Sequence, residues 1–118
     1  MKLFLISLII LLLTQITHAE INQLFVKNCA TCHSVQKGDL SPRAGPNLWG
    51  VVGKKAASIE SYTMYSDALK KSNIVWDEAN LDKWLTNAGE FMPGTYMYYM
   101  QADATVRKNI IDYLKTLK

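Results

Sequence analysis

The stretch Cys29-Ala30-Thr31-Cys32-His33 sets two cysteines three positions apart and places a histidine directly after the second. This spacing is typical of covalent attachment of c-type haem. Each thiol adds to one vinyl group of the porphyrin, and the adjacent imidazole reaches the iron. One turn of helix that ends in a sharp bend satisfies these requirements. The chain contains 2 cysteines, both in this stretch, so no cysteine elsewhere in the sequence competes for either of them.

Three other uses of these cysteines compete with haem. A thioredoxin-type redox pair has the same spacing but lies at a strand-to-helix junction, and no strand pattern precedes Cys29. A structural zinc site needs four ligands, whereas Cys29, Cys32 and His33 offer three. A disulfide is the simplest alternative in an oxidising compartment. The histidine and the helical context favour haem.

Residues 1–19 have the pattern of a secretory signal peptide. Lys2 supplies a positive charge, Leu3 to Leu13 is apolar apart from one serine, and Thr17-His18-Ala19 ends in small residues. The apolar run is shorter than the ~20 residues of a membrane-spanning helix. We expect cleavage after Ala19, which leaves residues 20–118 as one domain in the periplasm. A retained helix that reaches Ile16 and anchors the protein in the membrane is the alternative.

The charge balance excludes one class of partner. The chain has 13 basic and 10 acidic residues and a formal net charge of +3, and loss of the signal peptide would remove Lys2. No run of like charges occurs. Because nucleic-acid binding usually requires a strongly basic patch, we do not expect it here.

Apolar spacing predicts an all-α domain with long loops and no strand of any length. Helices are expected over 20–33, over 66–72 with Ser66 as N-cap, from the N-cap Asp77 to a stop at Gly89, and from the N-cap Asp103 onward. Turn residues predict a loop over 34–53, residues 54–65 lack a clear period, and a second loop is expected over 90–101.

The second axial ligand of the iron decides the chemistry. An open position permits peroxide or gas chemistry, whereas a second protein ligand favours electron transfer. The expected mature chain has no histidine besides His33, and its methionines are Met64, Met92, Met97 and Met100. The last three lie around the Pro93-Gly94 turn, and the residue pattern does not choose among them.

From about Phe25 to its C-terminal end, the sequence resembles class I cytochromes c of the mitochondrial and alphaproteobacterial type. The matching segments occur in the order of the family: Phe25, the cysteine motif, Gly45-Pro46-Asn47-Leu48-x-Gly50, Tyr65-Ser66-Asp67-Ala68, Ile74-Val75-Trp76, Leu81 to Leu85, Pro93-Gly94-Thr95-x-Met97 and Ile110-Ile111-x-Tyr113-Leu114. The resemblance implies a single-domain cytochrome c fold, with helices and loops wrapped around one covalently bound haem c.

The resemblance also implies the iron ligands. In the family the methionine that ends the Pro-Gly-Thr-x-Met turn binds the iron, which is Met97 here, so that Met92 and Met100 become packing residues. The Pro46 carbonyl is expected to accept a hydrogen bond from the ring nitrogen of His33 that does not face the iron. Such a contact fixes the tautomer and strengthens ligation.

The haem environment is implied in the same way. The Trp76 indole is expected to donate to a haem propionate, with Tyr65, Ser66 and Lys54 nearby. A simple core role for Trp76 is the alternative, and both roles are compatible because a buried indole N–H needs a partner.

The chain departs from the family at several positions. Ile21 replaces a glycine where the first and last helices cross, and Trp84 replaces a tyrosine beside the methionine sulfur. Asn28, Gly89 and Tyr96 replace lysines near the exposed haem edge, where Lys27, Lys37 and Arg43 remain. We therefore expect a more apolar docking face with weaker salt dependence.

The resemblance implies a monomeric one-electron carrier that is not an enzyme and has no small-molecule substrate. The expected partners are a quinol-oxidising cytochrome complex as donor and a terminal oxidase or another periplasmic protein as acceptor. Contact with a membrane is expected only through these complexes unless the signal is retained. A haem subunit or anchored component of a larger oxidase or dehydrogenase is the alternative, followed by a haem peroxidase that acts after the methionine dissociates.

Overall fold

The computed structural model describes residues 22–118, in which five helices are joined by long irregular segments. The helices are α1 (Gln23–Cys29), α2 (Asp67–Ser72), α3 (Glu78–Thr86), α4 (Ala88–Phe91) and α5 (Ala104–Lys115). Strand-like pairing within these residues is limited to isolated bridges between Lys55 and Val75 and between Asn87 and Met100. The predicted all-α class is confirmed.

Several helices begin at polar side chains that accept a hydrogen bond from a backbone N–H of the first turn. Ser66 begins α2, Asp77 begins α3 and Asp103 begins α5, with acceptor–donor distances of 3.2, 2.8 and 2.8 Å. Each bond satisfies a donor that has no partner inside the helix. These three predicted N-caps are confirmed.

α1 is shorter than the helix predicted over 20–33. It begins after Asn22, whose side chain accepts a backbone N–H at 3.0 Å, and it ends at Cys29. Beyond that residue, the N–H groups of Cys32 and His33 both donate to the Cys29 carbonyl, at 3.2 and 3.0 Å. Two donors on one carbonyl tighten the chain into a bend, so His33 lies outside the helix.

The predictions for residues 1–21 lie outside the described part of the chain. They include the signal peptide, its cleavage after Ala19 and the packing of Ile21. Among the helices of residues 22–118, none combines the length and the apolar character needed to cross a bilayer.

The predicted helix stop at Gly89 is wrong. α3 ends at Thr86 because Asn87 adopts an extended conformation, with φ −162° and ψ 99°. The Asn87 side chain then accepts from the Glu90 N–H at 3.1 Å and begins α4. Gly89 therefore lies inside a short helix, and the predicted loop over 90–101 begins later, after Phe91.

The core lies where α1, α3 and α5 meet. The rings of Phe25 and Tyr113 pack with centroids 5.5 Å apart, and the Asn22 side chain donates to Asn109 at 2.6 Å, so α1 and α5 are paired. The buried apolar residues are Phe25, Val51, Ala56, Trp76, Leu81, Trp84, Leu85, Ala88, Met92, Ile110, Ile111, Leu114 and Leu117. This core forms one wall of a cavity between the helices and the long loops.

Candidate haem-binding site

A cavity of about 350 Å³ opens between the helices and the two long loops. The residues with a predicted role at the haem all line it: Cys29, Cys32, His33, Pro46, Tyr65, Ser66, Trp76 and Met97. Much of the remaining wall is aliphatic and comes from Leu48, Val51, Leu69, Leu81, Leu85, Ile110 and Leu114. A wide apolar space with a few polar groups at its boundary is typical of a cofactor site.

The two cysteines lie at the end of α1 and in the bend that follows it. Cys29 is partly buried and Cys32 is exposed, and both are free thiols. Burial, reinforced by the neighbouring Cys32 sulfur, raises the pKa of Cys29 from 9.0 to about 11. The Cys29 side chain is therefore a protonated thiol at neutral pH.

His33 is oriented by the loop that follows it. Its Nδ1 lies 2.7 Å from the carbonyl oxygen of Pro46, to which it donates in the Nδ1–H tautomer. Burial lowers the pKa of His33, and the Pro46 hydrogen bond opposes this effect without reversing it. The ring is thus favoured as a neutral imidazole whose Nε2 lone pair is available to a metal.

Gly45 provides the space in which the His33 ring lies. A Cβ atom at Gly45 would lie 2.3 Å from Cε1 of His33 and 2.7 Å from Nδ1. No side chain fits there without displacing the imidazole. The Gly45 N–H also donates to the Cys32 carbonyl at 2.9 Å, which ties this wall of the site to the cysteine motif.

Met97 lies in an extended segment after the Pro93-Gly94 turn. Thr95 is buried, and its N–H donates to the Met92 carbonyl at 3.1 Å. The Met97 N–H meets the Thr95 hydroxyl oxygen at 3.4 Å, at the long end of hydrogen-bond distances. Two residues later, the Tyr99 carbonyl accepts from the Ala88 N–H at 3.1 Å. The segment is therefore fixed on either side of Met97.

The other methionines differ in their surroundings. Met92 is 8% exposed and packs in the core, as expected of a packing residue. Met100 is 71% exposed, so the prediction that it packs is wrong. Side chains alternate in direction along this extended segment, which turns Met100 to the surface while Met97 and Tyr99 contact the core. Met64 is also exposed.

The predicted polar groups lie together along the cavity wall. Trp76 is buried, and its ring centroid lies 5.1 Å from that of Trp84. No hydrogen bond within residues 22–118 uses the indole N–H of Trp76 or Trp84, and neither nitrogen is fully enclosed by protein. The Ser66 oxygen accepts from the backbone at the start of α2, which leaves its hydroxyl proton available. Lys54 also lines the cavity.

Two features of the wall were not predicted from the sequence. Tyr62 donates to the Ala44 carbonyl at 2.6 Å and packs edge-on against Tyr65, with ring centroids 4.8 Å apart. Asn28 and Tyr99 are joined by a hydrogen bond of 3.1 Å. Each of these hydrogen bonds joins an irregular segment to a part of the chain that is distant in sequence, and hydrophobic periodicity gives no signal for such contacts.

This combination of groups fits a covalently held haem. The aliphatic walls suit the faces of a porphyrin, and the two thiols lie on the same wall as the imidazole. The His33 Nδ1 is occupied by Pro46, so its Nε2 is the available donor. Gly45 leaves room for the imidazole ring. The Met97 thioether also lines the cavity.

Comparison with known proteins gives concordant matches. The family model described as cytochrome c matches residues 18–118. The chain is similar to a cytochrome c of Euglena viridis, with 41% identity over 97 residues that cover 81% of this chain and 92% of the relative. It is similar to a cytochrome c2 of Rhodomicrobium vannielii, with 41% identity over 91 residues that cover 76% of this chain and 71% of the relative. It also resembles the solved structure of cytochrome cH from Methylobacterium extorquens, with a TM-score of 0.69, 40% identity and coverage of 80% and 92%.

Proposed function

The chain belongs to the cytochrome c family, and from that premise we propose that it shuttles single electrons between respiratory partners in the periplasm. As a member of this family, the chain is a single-haem electron carrier rather than an enzyme, and its cofactor is covalently attached haem c. When bound, the haem supplies a one-electron change between Fe(III) and Fe(II).

The proposed attachment and ligand residues are Cys29, Cys32, His33 and Met97. The observation that carries this assignment is that all four line one cavity, although Met97 is distant from the others in sequence. The Pro46 carbonyl fixes the His33 ring, and the flanks of Met97 are fixed by Thr95 and Tyr99. Ligands held in place limit the structural change between oxidation states, and methionine ligation raises the reduction potential.

Trp76, Tyr65 and Ser66 are proposed to form the polar environment of the haem propionates, together with Lys54. No hydrogen bond within residues 22–118 uses the Trp76 indole N–H or the Ser66 hydroxyl proton as its donor, which supports this role. Both side chains line the cavity, and a carboxylate is a strong acceptor for such donors.

The proposed docking face is the surface of the segment that carries Met97. Tyr96, Tyr98 and Met100 are 68%, 90% and 71% exposed, and residues 91–102 contain no charge. Burial of such side chains contributes affinity that is insensitive to salt, whereas charge pairing mainly raises association rates. The proposed partners remain a quinol-oxidising cytochrome complex as donor and a terminal oxidase or another periplasmic protein as acceptor.

Substitution of the methionines tests the ligand assignment. Met97→Ala is expected to abolish the near-infrared charge-transfer band of methionine-sulfur ligation in the oxidised protein and to open the reduced iron to carbon monoxide. Met92→Ala and Met100→Ala are the matched controls and should keep the band. Loss of the band in Met100→Ala instead of Met97→Ala would overturn the assignment.

Mass spectrometry of the exported protein tests the proposed processing. The expected mass is that of residues 20–118 plus one covalently bound haem. A mass that includes residues 1–19 would contradict cleavage after Ala19 and favour the anchored form.

A further inference from the structure

The side chain of Asn28 joins α1 to the segment that follows Met97. Its Nδ2 donates to the Leu24 carbonyl of its own helix at 2.8 Å, which fixes the orientation of the amide. Its Oδ1 therefore faces away from α1, where it accepts from the Tyr99 hydroxyl at 3.1 Å and lies 3.5 Å from Nε2 of Gln101. Asn28 directly precedes Cys29, so this contact connects the cysteine motif with the methionine segment.

Tyr99 is held by its backbone and by its side chain. Its carbonyl accepts from the Ala88 N–H at 3.1 Å, and the Gln101 N–H donates to the Leu85 carbonyl at 2.9 Å. Its ring packs against the core, and its hydroxyl reaches Asn28. On the N-terminal side of Met97, the Met97 N–H makes a long contact of 3.4 Å with the Thr95 hydroxyl. Tyr99 is thus the firmest attachment next to Met97.

We infer that Asn28 and Tyr99 are positioning residues whose hydrogen bond holds the Met97 side chain in place and makes its withdrawal from the haem iron less favourable. The inference rests on the proposed function, because it takes Met97 as the ligand. For the sulfur to withdraw, the segment between Thr95 and Tyr99 has to move outward. That movement carries the Tyr99 hydroxyl away from Asn28, so the closed state alone contains the bond.

Imidazole binding to the oxidised protein measures how readily Met97 withdraws, because imidazole competes with the sulfur for the iron. Tyr99→Phe removes the hydroxyl and keeps the ring. Loss of one neutral hydrogen bond should increase the equilibrium constant for imidazole binding about fivefold. Tyr98→Phe is the matched control, since it makes the same chemical change one residue away on a side chain that is 90% exposed. The control should bind imidazole as the native protein does.

A double-mutant cycle separates the Asn28–Tyr99 bond from the other contacts of Asn28. Asn28→Ala also removes the bond to Leu24, so its own effect is not specific. If the inference is right, Tyr99→Phe has no further effect on imidazole binding in the Asn28→Ala background. Additive effects, or a Tyr99→Phe variant that matches Tyr98→Phe, would overturn it.

The near-infrared band distinguishes failure of this inference from failure of the ligand assignment. If the native protein has the band and Tyr99→Phe binds imidazole normally, the Asn28–Tyr99 inference alone is wrong. If the oxidised native protein lacks the band, the assignment of Met97 is wrong and the inference falls with it.

Discussion

The two residues proposed to ligate the iron lie in irregular segments that are held in different ways. His33 is fixed through its own side chain, by a 2.7 Å contact with Pro46 and by the backbone of Gly45 packed against the ring. Met97 is fixed through its neighbours, because the strong hydrogen bonds of its segment belong to Thr95 and Tyr99. One ligand is positioned directly, whereas the other is positioned by its flanks.

The sequence separation of the contacts also differs between the two sides. The histidine side is built from local bonds, such as the Gly45 N–H to the Cys32 carbonyl at 2.9 Å and the Leu48 N–H to the Ser34 carbonyl at 2.8 Å. The methionine side depends on partners in α3, α4 and α1, and the Tyr99–Asn28 bond spans 71 residues. Substitutions near His33 should therefore displace the His33 side chain directly. Substitutions near Met97 should each remove only part of the support of its segment, so their effects should be smaller and graded.

Gly45→Ala is expected to have the largest effect. The new Cβ would overlap the His33 ring, and relief requires movement of the imidazole or of the Pro46 loop. We expect a loss of about 3 kcal/mol in the free energy of unfolding, the upper range for overpacking. Urea unfolding of the haem-loaded protein, followed by visible absorption, measures it.

Gly89→Ala is the matched control for this substitution. A Cβ at Gly89 meets Asn87 Oδ1 at an ordinary 3.7 Å inside α4. Alanine favours a helix over glycine, so the stability should rise by up to about 1 kcal/mol. If Gly45→Ala and Gly89→Ala lowered the free energy of unfolding equally, the surroundings of His33 would not be more tightly packed than α4.

Arg107→Met tests the flank of the methionine segment and should have an intermediate effect. Arg107 Nε donates to Asp82 at 2.8 Å, and Nη1 donates to the carbonyls of Gln101 and Ala102, each at 2.9 Å. Removing these bonds leaves two partly buried acceptors, the Asp82 carboxylate and the Gln101 carbonyl, without their donor, at a cost of about 2 kcal/mol. The Arg107→Met variant should bind imidazole more tightly than the native protein does. Without imidazole, the variant should keep the near-infrared band.

Lys115→Met is the control for Arg107→Met. Lys115 pairs with Glu78 at 3.0 Å between the same two helices, α5 and α3, but both side chains are largely exposed. Exposed pairs contribute less than about 1 kcal/mol. If Lys115→Met changed imidazole binding as much as Arg107→Met, pairing of the helices rather than anchoring of the segment would control Met97.

Asp39→Asn should have the smallest effect, confined to the loop on the histidine side. Hydrogen bonds from Ser34 and Ser41 lower the pKa of Asp39 from 3.8 to about 2, and Arg43 adds to this. A pKa depressed by folding stabilises the protein above the unfolded-state pKa, and the stabilisation is lost as the pH falls through the folded-state value.

The native protein should therefore be more stable than Asp39→Asn at neutral pH, and the difference should shrink as the pH falls below about 4. Urea unfolding across this pH range measures the difference. Asp67→Asn is the control, because that side chain is 80% exposed and lies 3.8 Å from Lys70. A constant difference for Asp39→Asn would show that its ionisation does not stabilise the loop.

The features that could be predicted from sequence are those with local chemical causes. Ser66, Asp77 and Asp103 begin helices because a short polar side chain meets a backbone N–H two or three residues later. The cysteine motif is local in the same way, because its two cysteines and its histidine lie within five residues. These contacts form between neighbours in the chain, so the residue pattern alone contains the information.

The features that were missed depend on distant contacts. Gly89 is typical of a helix stop, but Asn87 ends α3 because its segment pairs with Met100. The same pairing extends the chain and turns Met100 outward. The residue pattern did not separate Met97 from Met92 and Met100, and the family resemblance alone made that assignment. The Asn28–Tyr99 bond has no sequence signature at all.

If Tyr96 and Tyr98 form the proposed docking face and Met97 binds the iron, the alternation of side chains from Tyr96 to Met100 couples partner binding to ligand exchange. A partner that covers the outward-facing Tyr96 and Tyr98 also confines the backbone from which Met97 reaches inward. By thermodynamic linkage, if docking makes sulfur displacement harder by some factor, displacement of the sulfur weakens docking by the same factor. A carrier that had lost its methionine ligand would then be released more readily by its partners, so the docking face would select for the electron-transfer form of the protein.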